Sequence, residues 1–308
     1  MNDNGPVRYG ILGTTQAGRA DGTPVAVGGA RLRALLAALA LRPGRALTPE
    51  VLITDVWGMD PPADAAGALQ ALVGRLRRVL GRDAIVSVDG GYRLSAEPDA
   101  VDLHRFERLA ADGVRALAEA DPARAAAVLD DALGLWRGPA LADLPEPGVE
   151  AARAESRRLD VQRTRLAADL ALGRPDRALP MLLALCRDHP LDEPLQALRL
   201  RALRAAGRGA EALAAYEEIR TGLADRLGTD PGPELRALHG ELLRPQPAVA
   251  PAPAPAAPAP APPPCRPPPP CRPPPPCRPV TSVPGSPRSS AGRPTSRPSG
   301  PIWPSTGW

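Results

Sequence analysis

Leu69-Gln70-Ala71-Leu72-Val73-Gly74-Arg75-Leu76-Arg77-Arg78-Val79-Leu80-Gly81, followed shortly by Asp89-Gly90-Gly91, is the stretch that decides the fold. On a period of about 3.6 residues, Leu69, Leu72, Val73, Leu76 and Leu80 form one apolar stripe. Arg78 points away from that stripe and Arg75 and Arg77 flank it. Asp64 is the expected N-cap and Gly81 the expected C-terminal stop. Ile85-Val86-Ser87-Val88 and Tyr92-Arg93-Leu94 are β-prone runs joined through a Gly-rich turn, which is a hairpin signal. A helix with an arginine face, backed by a hairpin bearing its own arginine, is the arrangement with which a winged helix meets DNA. By itself the helix could equally be an amphipathic element with a solvated basic face, so its surroundings matter.

Upstream, Val7 to Leu12 and Val25-Ala26-Val27 read as short strands. A helix follows from Arg31 through Leu32, Leu35, Leu36 and Leu39 to about Leu41, closed by Pro43-Gly44. Thr48-Pro49 opens a short helix that ends near Trp57-Gly58. The order is sheet, helix, short helix, long helix, hairpin. Residues 101–245 are helical in pattern and carry an internal repeat. Gly173-Arg174 recurs as Gly207-Arg208, Ala178-Leu179 as Ala212-Leu213 and Leu166 as Leu200, each 34 residues apart. That is the tetratricopeptide period, with paired helices turning at the Gly-Arg step. An earlier pair around Val114 to Trp136, turning at Asp121-Pro122, lies out of period because of a Pro/Gly-rich insertion at 138–152. The expected fold class is therefore an α+β winged helix-turn-helix domain (1–100), an all-α tetratricopeptide-like repeat domain (101–245) and a disordered Pro-rich tail (246–308).

Composition narrows the chemistry. The 308 residues include 38 basic residues, all arginine, so a P-loop and lysine-dependent catalysis are excluded. The net charge of +4 belongs to the tail. Residues 1–100 carry 11 arginines against 10 acids, residues 101–245 carry 21 against 24, and residues 246–308 carry 6 against none. Any DNA affinity of the first domain must then come from where its arginines sit rather than from bulk charge. No apolar run approaches membrane length and no leader pattern stands at the N-terminus, so a cytoplasmic protein is expected. The tail contains 24 prolines, with Cys265, Cys271 and Cys277 in a six-residue repeat. In a polyproline II helix those thiols would stand roughly 19 Å apart, too far to share one metal. His104, His189 and His239 lack ligand partners at metal spacing. Cys186 lies in the apolar register of Leu182, Leu183 and Leu185 and reads as a core thiol. Trp57 and Trp136 read as packing anchors. No catalytic constellation can be singled out, and no cofactor or metal is called for.

Many separated stretches, in one order, resemble the AfsR/SARP family of bacterial antibiotic-pathway activators, in which an OmpR-type winged helix precedes a bacterial transcriptional activator domain. They include Gly10-Ile11-Leu12-Gly13, Gly28-Gly29-Ala30-Arg31-Leu32-Arg33, Leu52 to Trp57-Gly58 and the Leu69–Gly81 helix with Gln70. Further carriers are Asp102-Leu103-His104-Arg105-Phe106, Leu135-Trp136-Arg137-Gly138-Pro139-Ala140-Leu141-Ala142-Asp143 and Leu227-Gly228-Thr229-Asp230-Pro231-Gly232-Pro233-Glu234-Leu235. The resemblance covers about residues 7–243. It implies that Arg75, with Gln70 on the same helix, faces base edges while Arg77 and Arg78 hold phosphates or the groove wall. Ser87 and Arg93 would lie on the wing near the minor groove or the DNA backbone, and Arg31 and Arg33 would meet phosphates from a helix start. It also implies direct-repeat promoter sites, self-association on DNA and contact with RNA polymerase. Ala66-Gly67, Ala71, Leu72 and Gly74 depart from the family's more polar residues and leave the DNA-facing side bare. The competing expectation is a tetratricopeptide-type interaction scaffold whose DNA-binding domain has degenerated.

Overall fold

The computed structural model describes residues 7–244, so the Pro-rich tail expected at 246–308 lies outside the described residues. It opens with a three-stranded antiparallel sheet, β1 (Val7–Gly10), β2 (Gln16–Arg19) and β3 (Pro24–Val25), in the order β1-β2-β3. Val7 pairs with Arg19 and Gly10 with Gln16. The middle strand, Gln-Ala-Gly-Arg, has no β-branched residue, so periodicity does not announce it; pairing on both sides makes it a strand. Three helices follow, α1 (Ala30–Leu41), α2 (Pro49–Trp57) and α3 (Ala65–Leu80), then the hairpin β4 (Ile85–Val88) and β5 (Gly91–Leu94).

The local rules read from the sequence operate in α3. Asp64 Oδ1 accepts from Gly67 N–H at 2.8 Å, and Gly81 closes the helix with φ 108°. All five residues of the apolar stripe are buried, each contributing about 1.5–3 kcal/mol relative to exposure as an upper bound. Thr48 occupies the N-cap of α2 ahead of Pro49, although its side chain accepts no capping bond.

Seven helices follow: α4 (Asp102–Ala118), α5 (Pro122–Leu133), α6 (Gly148–Ala171), α7 (Pro175–Asp188), α8 (Glu193–Ala205), α9 (Gly209–Leu227) and α10 (Pro233–Leu242). Three of their turns are built alike. Asp121 N–H bonds to Ala116 O, Arg174 N–H to Asp169 O and Arg208 N–H to Leu203 O, all at 2.9 Å. This is the bond that closes a helix through a left-handed residue. That residue is Gly173 (φ 69°) and Gly207 (φ 74°) in the two 34-residue repeats, and Ala120 (φ 61°) in the earlier pair. Five positions beyond each turn stands a fully buried alanine, Ala125, Ala178 and Ala212. The pair α4–α5 is thus a third copy of the unit, displaced in sequence by the 138–152 insertion.

The hydrophobic core does not divide where the strands give way to helices. One cluster joins Tyr9, Ile11, Leu35 and Leu76 to Phe106, Leu129, Trp136 and Val161. A second begins at Leu166 and runs to Leu238. The seam between them crosses α6, where the buried Arg165 is clamped between Asp130 and Asp169 at 2.6 and 2.7 Å. A buried cation of this kind persists only when paired, which ties α5 and α6 together at the seam.

Candidate nucleic-acid interface

The face of α3 opposite its buried stripe is open to solvent. Gln70, Ala71, Arg75 and Arg78 are exposed along it and Gly74 is half-buried. Spacings of five, three and eight residues bring Gln70, Arg75 and Arg78 to the side of the helix away from its buried stripe. Arg78 is braced by its Nε donating to Gly74 O at 3.3 Å. A Cβ built on Gly74 meets nothing within 4 Å. Gly74 and Ala71 thus leave open helix surface beside Arg75 and Arg78, whereas Leu72, read from sequence as part of the bare face, is buried in the apolar stripe.

Arg77 has a different surrounding. Its Nε donates to Ile85 O and its Nη2 to Ser87 Oγ, both at 2.8 Å. The side chain thus leaves α3 sideways and holds the first strand of the hairpin, with Ser87 as its acceptor. The hairpin is anchored from its other strand as well: Leu47 and Tyr92 exchange backbone bonds at 2.8 and 3.0 Å. Arg93 lies half-buried on β5, its Nε without a hydrogen-bond partner. Helix and wing are therefore held in one relative position by Arg77 and Leu47, with Gln70, Arg75 and Arg78 on the helix and Arg93 on the wing.

Arg31 and Arg33 are also engaged within the protein. Arg31 Nη1 donates to Val56 O at 2.5 Å, closing the C-terminal end of α2 against α1. Arg33 Nε pairs with Asp143 Oδ1 at 2.7 Å. Asp143 belongs to the segment that reads from sequence as an insertion, and its other oxygen accepts from Thr15 N–H at 2.7 Å. The segment is a latch. Arg137 N–H bonds to Leu12 O and Leu141 N–H to Ile11 O, each at 2.9 Å. Arg137 Nη1 donates to Thr14 O at 3.0 Å and Nη2 pairs with Asp102 Oδ2 at 2.6 Å. Asp102 in turn accepts from Ile11 N–H at 2.8 Å and Leu12 N–H at 3.1 Å. Burial pushes the Asp102 carboxyl above its ordinary range, against the pull of these donors. A Cβ on Gly10 would stand 2.2 Å from Arg137 Nη2, so a larger residue there would displace the guanidinium from Asp102. Behind the latch, Trp136 packs edge-on against Phe106 at 5.3 Å, with Arg158 over its ring at 4.6 Å. No local pattern marks Asp102, Arg137 or Asp143 in the sequence; their only signal is membership in the stretches that carry the family resemblance.

A winged helix with an arginine-bearing recognition face, latched to a stack of helix pairs, defines a transcription regulator with a helical-repeat partner domain. Residues 24–94 match the family described as transcriptional regulatory protein, C terminal, and residues 101–243 match the bacterial transcriptional activator domain. Regulatory protein DnrI of Streptomyces peucetius is 36% identical over 243 residues, covering 74% of this chain and 89% of that protein. Regulatory protein AfsR of Streptomyces griseus is 42% identical over 240 residues, 77% of this chain but only 24% of AfsR, so the chain spans about a quarter of that relative. The solved structure of Mycobacterium tuberculosis EmbR in complex with low affinity phosphopeptide superimposes with TM-score 0.72 at 36% identity, covering 77% of this chain and 65% of that one. The chain belongs to the AfsR/SARP family of transcriptional activators. Among the described residues no helix is long and apolar enough to cross a membrane.

Proposed function

We propose that this chain is a sequence-specific DNA-binding activator, serving a secondary-metabolite gene cluster, in which residues 1–100 bind promoter DNA and residues 101–245 carry self-association and RNA polymerase contact. The observation that carries the DNA-binding part is the exposed α3 face, where Gln70, Arg75 and Arg78 stand opposite a fully buried stripe and beside an anchored wing. Arg75 reads a base edge and Arg78 a phosphate. Arg93 and Ser87 lie on the wing side. Arg77, with two donors engaged inside the protein, and Arg31 and Arg33, with one each, act by holding the wing and α1 in place. With so few polar groups on the helix, one copy discriminates weakly. Two copies on direct repeats about 10–11 bp apart enter the major groove from the same side and add their contacts.

The test uses duplexes that the full chain recovers from genomic fragments, each paired with a scrambled duplex, over a range of salt. Arg75→Ala lowers affinity for the recovered duplex selectively, by about 1–3 kcal/mol. Arg78→Ala weakens both duplexes and reduces the salt slope by about one. Arg77→Ala weakens binding without a change in salt slope, because no phosphate contact is lost. Inserting roughly 5 bp between half-sites turns one copy to the far face and abolishes cooperative binding. Equal binding of recovered and scrambled duplexes by the unaltered chain would instead favour the scaffold reading.

A further inference from the structure

The second core leaves a cleft of about 350 Å³ between α7, α8 and α9, far in sequence from the winged helix. That volume lies within the roughly 300–1,000 Å³ range of small-molecule sites. Its walls include Leu183 and Ile219, and its polar lining is lopsided. Arg187, Arg199 and Arg226 face it with Glu218 as the acidic lining residue. Glu218 Oε2 pairs with Arg199 Nη2 at 3.1 Å, and Arg187 meets Asp188 at only 3.9 Å. Arg226 has no ion-pair partner among the described residues.

Two further features show a cleft with unmet chemistry. Gln196, 4% exposed, lines it; its Nε2 donates to Pro190 O at 3.1 Å, but its Oε1 has no partner, and neither has Arg199 Nε. Buried polar atoms are rarely left so, because each unmade bond costs about 1–3 kcal/mol. Gly222 lies in the interior of α9 and lines the same cleft, with nothing within 4 Å of where a Cβ would stand. Its φ is not left-handed, so the backbone does not call for glycine there. A mid-helix glycine costs about 1 kcal/mol relative to alanine. Here the open space lies over the cleft.

From the excess of arginine, the apolar wall and the space at Gly222, we propose that this cleft is a binding site for a small organic anion with an apolar body, whose own N–H or O–H donor would meet the unpaired Gln196 oxygen. The anionic group sits between Arg199 and Arg226, and the apolar body lies on Ile219 and Leu183 under Gly222. The proposal is independent of the DNA-binding reading.

The probe is 8-anilinonaphthalene-1-sulfonate, titrated into the full chain by fluorescence, with uncharged N-phenyl-1-naphthylamine as its counterpart. The expected result is one saturable site that prefers the anion by about tenfold, the scale of a charge-assisted hydrogen bond. Gly222→Leu occupies the space and Arg226→Gln removes one cation; each weakens the anion by about fivefold or more while helical circular dichroism stays unchanged. Three results overturn the proposal: no saturable binding, equal affinity for the two probes, or Gly222→Leu and Arg226→Gln both binding the anion as the unaltered chain does.

Discussion

Replacing Asp102 with alanine strikes the point where the first helix of the repeat domain holds the winged helix. Three donors converge on this carboxylate: Ile11 N–H at 2.8 Å, Leu12 N–H at 3.1 Å and Arg137 Nη2 at 2.6 Å. Arg137, about a third exposed, can turn to water, but the two backbone donors belong to the fully buried Ile11 and Leu12, just beyond β1, and cannot. Each orphaned donor costs about 1–3 kcal/mol. The carboxylate's own burial, which raises its pKa, is relieved by the substitution. The net loss is therefore about 2–4 kcal/mol, a large part of the roughly 5–15 kcal/mol that holds a protein folded. Urea unfolding followed by circular dichroism measures it, and hydrogen exchange locates it. The amides of Ile11 and Leu12 lose protection while those of α9, in the second core, keep theirs. A double-mutant cycle with Arg137→Ala gives a coupling of about 1 kcal/mol or more, because the two side chains share one interaction. A loss below about 1 kcal/mol, or equal exchange changes in both cores, would refute the latch.

Other substitutions have definite signs. Gly74→Ala adds a methyl in open space and stabilises α3 by about 1 kcal/mol, whereas Gly67→Ala places its Cβ 2.2 Å from the capping Asp64 carboxylate and gains nothing in thermal unfolding. Ala120→Gly relieves the left-handed backbone at φ 61° and raises stability by about 0.5–1 kcal/mol; a lowered melting temperature would sink this account of the turn. Burial pushes the Cys186 thiol up to about 11. Its folded value lies above the unfolded one, so the stability it contributes is complete below about pH 8.5 and is lost as pH rises toward 11. Cys186→Ala flattens that part of the stability profile, and an unchanged slope would show the thiol to be uninvolved.

The local elements were legible from the sequence because their causes are local. The stripe of Leu69, Leu72, Val73, Leu76 and Leu80, the Asp64 cap and the Gly90 turn all act within a few residues of themselves, and the helix and hairpin stand where those signals put them. The same holds for the Gly173 and Gly207 turns, where one left-handed residue and one bond define the unit. The arginine-bearing face followed from the same periodicity. What a side chain does with its donors depends on what the fold brings beside it, and no spacing encodes that. Arg77 finds Ser87 only because the hairpin folds back along α3. Arg33 finds Asp143 across 110 residues, and Thr15 finds the same carboxylate across 128. Gly67 and Gly74 look alike in a helical pattern, yet one makes room for a cap and the other borders empty space. The 138–152 stretch reads as an interruption of the repeat, and only the bonds from Leu141 to Ile11 and from the adjoining Arg137 to Leu12 make it part of the latch between the winged helix and the helices behind it. Sequence determined the elements and the face they present; tertiary contact decided which arginine donors the protein itself holds.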